Sequence, residues 1–263
     1  MPISLIYHDV VAEGRLEDSG FRGHGADSYK LTPRQFERHL DVIEGTGLKG
    51  TSHFDTLLKY GSSAVADTLL TFDDGGIGAL LAADMLDARA LKGCFLITTN
   101  YIGQPRFLGP PHLRELRRRG HIIGSHSASH PMRMSACTQN ELMTEWATST
   151  SRLSDLLGEA ILSASVPSGY YSRKIAIAAS ACGIRVLFTS EPTTAAKRVN
   201  DCEVLGRFSI KSRTTVEEVA ALVRGEPVAI LKQRVLWDGK KALKKVCGPL
   251  WMSLRDRLLK SRV

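Results

Sequence analysis

The sequence predicts an α/β fold in which parallel strands alternate with helices, and three observations carry that expectation. Seven short, β-rich apolar runs recur along the chain, each bounded by Gly, Pro or polar clusters. Helix signals fall between these runs, so strand and helix alternate, which argues for a parallel sheet, closed as a barrel or open and doubly wound. The residues able to do chemistry sit directly after strands, where the carboxyl-end loops of such folds place it. Seven strands fall one short of the roughly eight of a full barrel.

The candidate strands are Ile3–Tyr7, Thr68–Phe72, Gly93–Thr98, His121–Ser125, Leu162–Val166, Arg185–Thr189 and Glu203–Ser209. Three helix starts are clear. Thr32-Pro33-Arg34-Gln35 offers an N-cap, a proline at the first helical position and a Gln to complete a capping box, and Phe36, Leu40 and Ile43 then share one face. Thr138 with Glu141 forms a second box ahead of Leu142, Trp146, Leu153 and Leu156, and Thr215 with Glu218 a third, opening a helix over 216–223. Residues 9–29 and 100–111 read as long loops after strands.

The composition is that of an ordinary globular protein: 263 residues, 43% hydrophobic and 24% charged. That length buries a core without disulfide staples. No apolar run approaches the roughly 18 residues of a membrane span. The opening MPISLIYHDV has no basic segment and reads as a buried strand rather than a signal peptide. Five scattered cysteines, odd in number, fit reduced thiols and a cytoplasmic setting. The net charge is +8, and the ten basic and two acidic residues from Lys232 to Val263 account for all of it. The first 231 residues are therefore neutral, which speaks against a nucleic-acid partner, since no basic charge surrounds the candidate site.

Four strand ends carry candidate chemistry. Leu69-Leu70-Thr71-Phe72 runs into Asp73-Asp74-Gly75-Gly76. Alternation sends neighbouring side chains different ways, so one carboxylate can ligate a metal while the other faces a substrate water; a simple Asp-Gly turn is the plainer alternative. His126 and His130 follow another strand, and a four-residue spacing puts two imidazoles on one side of a helical turn, in reach of one ion. Two histidines, a carboxylate and an open position describe a catalytic rather than a structural metal site. His121, at the strand start, reads as structural. His8 ends the first strand as a general-acid candidate or a structural histidine. Ser165-Val166-Pro167-Ser168-Gly169-Tyr170-Tyr171 is a turn able to aim a backbone N–H near Ser168 at a substrate oxygen, with Tyr170 and Tyr171 as a wall for a sugar ring; from spacing alone it is equally a routine loop.

Thr71-Phe72-Asp73-Asp74-Gly75 and His126-Ser127-Ala128-Ser129-His130 resemble the first two motifs of the polysaccharide deacetylases, carbohydrate esterase family four, with the match running over residues 1–208. The resemblance implies a distorted (β/α)7 barrel and a divalent metal, usually zinc. It also implies hydrolysis of an N-acetyl, sometimes O-acetyl, group on a sugar. Carried over, Asp74, His126 and His130 are the metal ligands and Asp73 is the general base. Many members carry a general-acid histidine late in the chain, whereas Val228-Ala229-Ile230-Leu231-Lys232 has none. Residues 3–9 resemble that motif moved to the front, as in the circularly permuted branch, which makes His8 the acid. The third motif, ordinarily Arg-x-Pro-aromatic-Gly, keeps Pro167 and Gly169 but has Ser165 in place of the arginine that steadies the base. Arg173 is the nearest substitute in sequence. Leu187-Phe188-Thr189-Ser190-Glu191 occupies the region of the remaining motif without matching it.

These readings divide the chain into a catalytic domain over 1–231 and a basic helical segment over 232–263. In the latter, Leu250, Trp251, Leu254 and Leu258 share one face with Arg and Lys opposite, the pattern of a helix lying on anionic lipid at the inner face of the membrane. Such contact through 248–263 would suit a glycolipid or lipid-linked acetamido-sugar substrate. The alternatives are a non-catalytic sugar-binding relative and a hydrolase of another acyl group, such as a deformylase.

Overall fold

The structure, a computed structural model, describes residues 1–46, 53–65 and 67–239. Its strands are β1 (Ser4–Tyr7), β2 (Leu69–Phe72), β3 (Cys94–Ile97), β4 (Ile122–Ser125), β5 (Ser163–Ser165), β6 (Val186–Phe188), β7 (Lys197–Val199), β8 (Cys202–Leu205) and β9 (Phe208–Ser209). Its helices are α1 (His24–Asp27), α2 (Pro33–Glu44), α3 (His53–Tyr60), α4 (Ala79–Asp87), α5 (Pro110–Arg118), α6 (Gln139–Leu157), α7 (Arg173–Ala181), α8 (Val216–Val223) and α9 (227–239). All three predicted capping boxes form, at Thr32, Thr138 and Thr215, each satisfying backbone N–H groups that a helix start leaves open.

The sheet order is β7-β8-β6-β5-β4-β3-β2-β1-β9, parallel throughout except for the β7–β8 pair. Only Gly206 and Arg207 separate β8, near one edge, from β9, at the other. So short a link spans roughly 10 Å at most, so the sheet must curl round on itself, and the fold is a distorted α/β barrel. The seventh expected strand, Glu203–Ser209, is therefore two strands, broken where the chain crosses the gap in the barrel wall. Gly206 sits at this crossing because a Cβ there would come within 2.4 Å of the Glu191 and Thr193 carbonyl oxygens.

Alternation along each strand separates two environments. Leu5, Tyr7, Leu70, Phe72 and Phe95 face outward into a cluster with Phe36, Leu40 and Ile43 of α2 and Ala82, Ala83 and Leu86 of α4. Tyr7 and Phe95 each stack on Phe72, at 5.6 and 4.8 Å between ring centroids. Leu69, Cys94, Leu96, Ile122, Val186, Phe188 and Leu205 point inward and fill the barrel, and Phe54 and Leu57 of α3 join this cluster. His121, at the amino end of β4, is fully buried and accepts the Gly93 N–H at 3.2 Å, the structural role expected of it.

The predicted segment boundary falls inside α9, which starts before residue 231 and runs on to 239. The amphipathic pattern over 248–263 lies outside the described residues. No described helix is long and apolar enough to cross a membrane.

Candidate metal centre

The inward rows of the barrel end in polar side chains at its carboxyl end. Leu69 and Thr71 lead to Asp73, Ile122 and Gly124 lead to His126, Ser163 leads to Ser165, and Leu205 leads to Arg207. The β1–β2 register pairs Ser4 with Leu69 and Ile6 with Thr71, so the same row of β1 ends at His8 opposite Asp73. Period-two geometry, with closure of the sheet between β8 and β9, thus brings five polar groups to one mouth.

Asp74 does not belong to the inward row by alternation and is turned there by the backbone. Its φ is +80°, and Gly75 follows at +84°. Asp is among the few non-glycine residues that tolerate this left-handed region, and such strain concentrates where function requires it. The next residue must also be glycine, since a Cβ on Gly76 would meet the Asp9 carboxylate at 2.2 Å.

His126 and His130 converge by a different route from the one predicted. Residues 126–130 form an irregular turn, not a helical one, with Ser127 at φ +64° and His130 at +60°. Local hydrogen bonds hold this turn. The His130 N–H donates to Ser127 Oγ at 3.1 Å, and the Ser127 N–H to Ser125 Oγ at 3.1 Å. The Glu145 carboxylate, reaching from α6, accepts the N–H groups of Ala128 and Ser129, both at 2.9 Å.

Asp74 Oδ1 then lies 3.4 Å from His126 Nε2 and 3.6 Å from His130 Nε2, and one ligating atom from each residue falls within 4.8 Å of the other two. Burial lowers the pKa of both imidazoles, that of His126 to about 3, so both are neutral at physiological pH, as metal ligation requires. Burial, reinforced by the charge of Asp73, raises Asp74 to about 6. Three donors of the right chemistry, two of them already deprotonated, fit a divalent cation of the zinc type with positions left open.

Beside this trio stands a carboxylate with a different electrostatic setting. Burial acts to raise the pKa of Asp73, but the Arg207 guanidinium, aided by His126 and His8, outweighs it and holds the carboxyl well below the usual range. Arg207 is fully buried and grips Asp73 through two hydrogen bonds, Nη1 to Oδ1 at 2.7 Å and Nη2 to Oδ2 at 2.8 Å. It also donates to Thr71 Oγ1 at 2.9 Å and to the Thr189 carbonyl at 3.1 Å. Arg173 does not take this part: it opens α7 with its side chain exposed. The place left by Ser165 on β5 is filled from across the barrel.

Ser165 has a role of its own. Its Oγ lies 2.5 Å from His126 Nδ1 and donates to Asp73 Oδ1 at 3.1 Å. A hydroxyl that donates to the carboxylate is left to accept from Nδ1–H, which fixes His126 with its Nε2 lone pair toward Asp74. Neither Arg207 nor Ser165 was assigned from sequence. The available signal was Gly206, a glycine inside an otherwise apolar strand pattern, which marks a break and draws attention to the arginine after it.

His8 lies tilted against Tyr29, 4.6 Å between centroids, and Lys211 covers the Tyr29 ring at 4.7 Å. The His8 Nδ1 is buried without a hydrogen-bond partner among the described residues. His8 is close enough for its charge to act on both Asp73 and Asp74. Phe21, Tyr101 and Phe107 form an aromatic group beside His130, with Phe21 5.0 Å from its ring. Ser168 is exposed at φ +57°, and Tyr170 is half-buried beneath the Arg133 guanidinium at 5.5 Å. Tyr171 packs into the cluster between α6, α7 and the barrel instead of joining a wall with Tyr170.

Residues 62–187 match the family model described as polysaccharide deacetylase, a span containing Asp73, Asp74, His126, His130 and Ser165. No curated protein sequence matches the chain. Among solved structures, PplD of Streptococcus pyogenes in complex with acetate is 20% identical, with TM-score 0.70 over 84% of this chain and 97% of that one. A polysaccharide deacetylase of Bacillus cereus is 19% identical, with TM-score 0.69 over 84% and 68%. IcaB of Ammonifex degensii is 20% identical, with TM-score 0.67 over 84% and 96%.

Proposed function

We propose that this chain, a member of the polysaccharide deacetylase family through residues 62–187, is a divalent-metal-dependent hydrolase that removes the acetyl group from an N-acetylated sugar. The observation that carries the reading is the convergence of Asp74, His126 and His130 beside an ionised Asp73. A bound zinc-type ion supplies Lewis-acid chemistry for the amide carbonyl and the attacking water.

The chain's own groups supply the rest. Asp73, kept ionised by Arg207, takes the proton from the water. An amine leaves poorly unless protonated, and His8, on the strand adjoining β2, donates that proton. The backbone at Ser168 stabilises the developing oxyanion and Tyr170 lies along the sugar. The place of His8 on the first strand, in register with Asp73, supports a permuted order of the family's motifs. We further propose a cytoplasmic setting, in keeping with the unpaired thiols of Cys94, Cys137, Cys182 and Cys202. A glycolipid or lipid-linked substrate accords with the basic, amphipathic sequence over 248–263.

The test is Asp73→Asn measured against wild type for zinc content and for release of acetate and formate from a panel of acylated aminosugars, lipid-linked ones included. Retained zinc with lost turnover is expected. Wild-type acetate release by the variant refutes the role of Asp73. Glycan binding without acyl release by the wild-type protein refutes the hydrolase, and formate in place of acetate corrects the acyl group.

A further inference from the structure

The helix α9 is apolar on both sides, and only one side is covered. Toward the barrel, Ile230 packs on the main cluster and Gln233 donates to the Ser209 carbonyl at 3.4 Å. Trp237 stands over Gly169, where a Cβ would come within 2.6 Å of its Cη2. These residues recur at three- and four-residue spacing, so they form one stripe. It carries α9 from the flank of the barrel, where Lys232 pairs with Glu218 of α8, to the loop after β5 at the mouth. The opposite stripe faces solvent: Val228 is 79% exposed, Leu231 59%, Val235 60% and Leu236 55%. Met132, in the loop after β4, is 61% exposed, and its neighbour Arg133 covers Tyr170.

We propose that this outer face of α9 docks the mouth of the barrel on an anionic lipid bilayer. A row of exposed apolar side chains needs a cover, and charge selects which one. Lys232 and Arg234 against Asp238 leave α9 itself at +1, and the sequence that follows it over 240–263 carries the other +7. A second copy would bring two such basic segments together. A surface that is apolar within and negative at its boundary matches an exposed apolar stripe followed in sequence by a basic segment. The inference goes beyond the hydrolase reading and does not depend on catalysis.

The experiment is co-sedimentation of the full chain with vesicles of phosphatidylcholine alone and of phosphatidylcholine with phosphatidylglycerol in equal proportion. The comparison is with the triple variant Val228→Gln, Leu231→Gln, Val235→Gln, which changes only exposed positions. Wild type should bind the anionic vesicles, less at high salt. The triple variant should bind about tenfold more weakly or worse, while any activity on a soluble substrate stays unchanged. Equal binding by the two proteins overturns the proposal, as does failure of wild type to bind anionic vesicles. A dimer that the triple variant dissociates, without vesicle binding, assigns the face to a second copy instead. A chain that binds vesicles but hydrolyses no acyl-sugar keeps this inference and refutes the hydrolase.

Discussion

Replacing Arg207 with Met should expose what the buried ion pair does. Arg207 is fully buried and Asp73 only 5% exposed, so the substitution leaves a carboxylate without its counter-charge in a site that water scarcely reaches. Two charge-assisted hydrogen bonds at 2.7 and 2.8 Å are lost, and Thr71 Oγ1 and the Thr189 carbonyl lose a donor. Breaking one side of such a pair costs about 3–5 kcal/mol. Urea unfolding of Arg207→Met should therefore show a loss of that size near neutral pH. The loss has a defined pH dependence. In wild type the carboxyl is depressed, so its contribution is present above the unfolded value and disappears only as pH falls through the low folded one. In the variant, burial is opposed only by His126, His8 and the Ser165 hydroxyl, the carboxyl rises, and acid now relieves the strain. The difference between the two proteins should shrink as pH is lowered from 8 toward 4. Adding Asp73→Asn to Arg207→Met removes the orphaned charge and should restore part of the stability. If the double variant is as unstable as the two single losses added together, with coupling below about 0.5 kcal/mol, Arg207 does not act through Asp73 and the reasoning fails.

Three further expectations rest on other contacts. Ser165→Ala removes the bridge that orients His126 and should weaken zinc binding about tenfold or more, measured by competition with a chelator, without unfolding the protein. Relative to the double variant Asp9→Asn, Asp74→Asn, a comparison from which the opposing effect of the buried imidazoles His39, His121, His126 and His130 cancels, the metal-free protein should lose stability between pH 5 and pH 8. Asp9 and Asp74 have folded pKa values raised to about 7 and about 6, both first by burial, so each favours the fold while protonated and loses that contribution as pH rises through its folded value. Thermal unfolding across that range checks the sign, and zinc should remove the part due to Asp74. Gly169→Ala places a Cβ against Trp237 at a φ of +69° and should destabilise by about 1–3 kcal/mol, read by urea unfolding.

Much of this molecule is visible in its local sequence pattern because the relevant physics is local. Capping boxes at Thr32, Thr138 and Thr215 involve residues three apart, and all three form. Strand alternation requires only neighbours, so it places Asp73 and His126 at the ends of inward rows, and six of the seven candidate strands correspond to single strands of the barrel. The seventh did not, since Glu203–Ser209 reads as one apolar run and only closure of the sheet shows that it must break at Gly206 and Arg207. The turn that directs His130 likewise depends on Glu145 of α6, which no spacing within 126–130 reveals.

Residue types and their spacing were enough to fix the alternating α/β pattern, because it follows from backbone periodicity within a few residues, whereas Asp74, His126 and His130 were marked as a set by the resemblance of their two motifs. The partner of Asp73 was beyond their reach. Arg207 lies 134 positions away along the chain and meets Asp73 only because the two edges of the sheet are drawn together across the barrel, and a guanidinium on the crossing strand fills the space that Ser165 leaves. Sequence separation carries no information about such a meeting. Closure of the sheet decides it, together with the high cost of leaving a buried carboxylate alone.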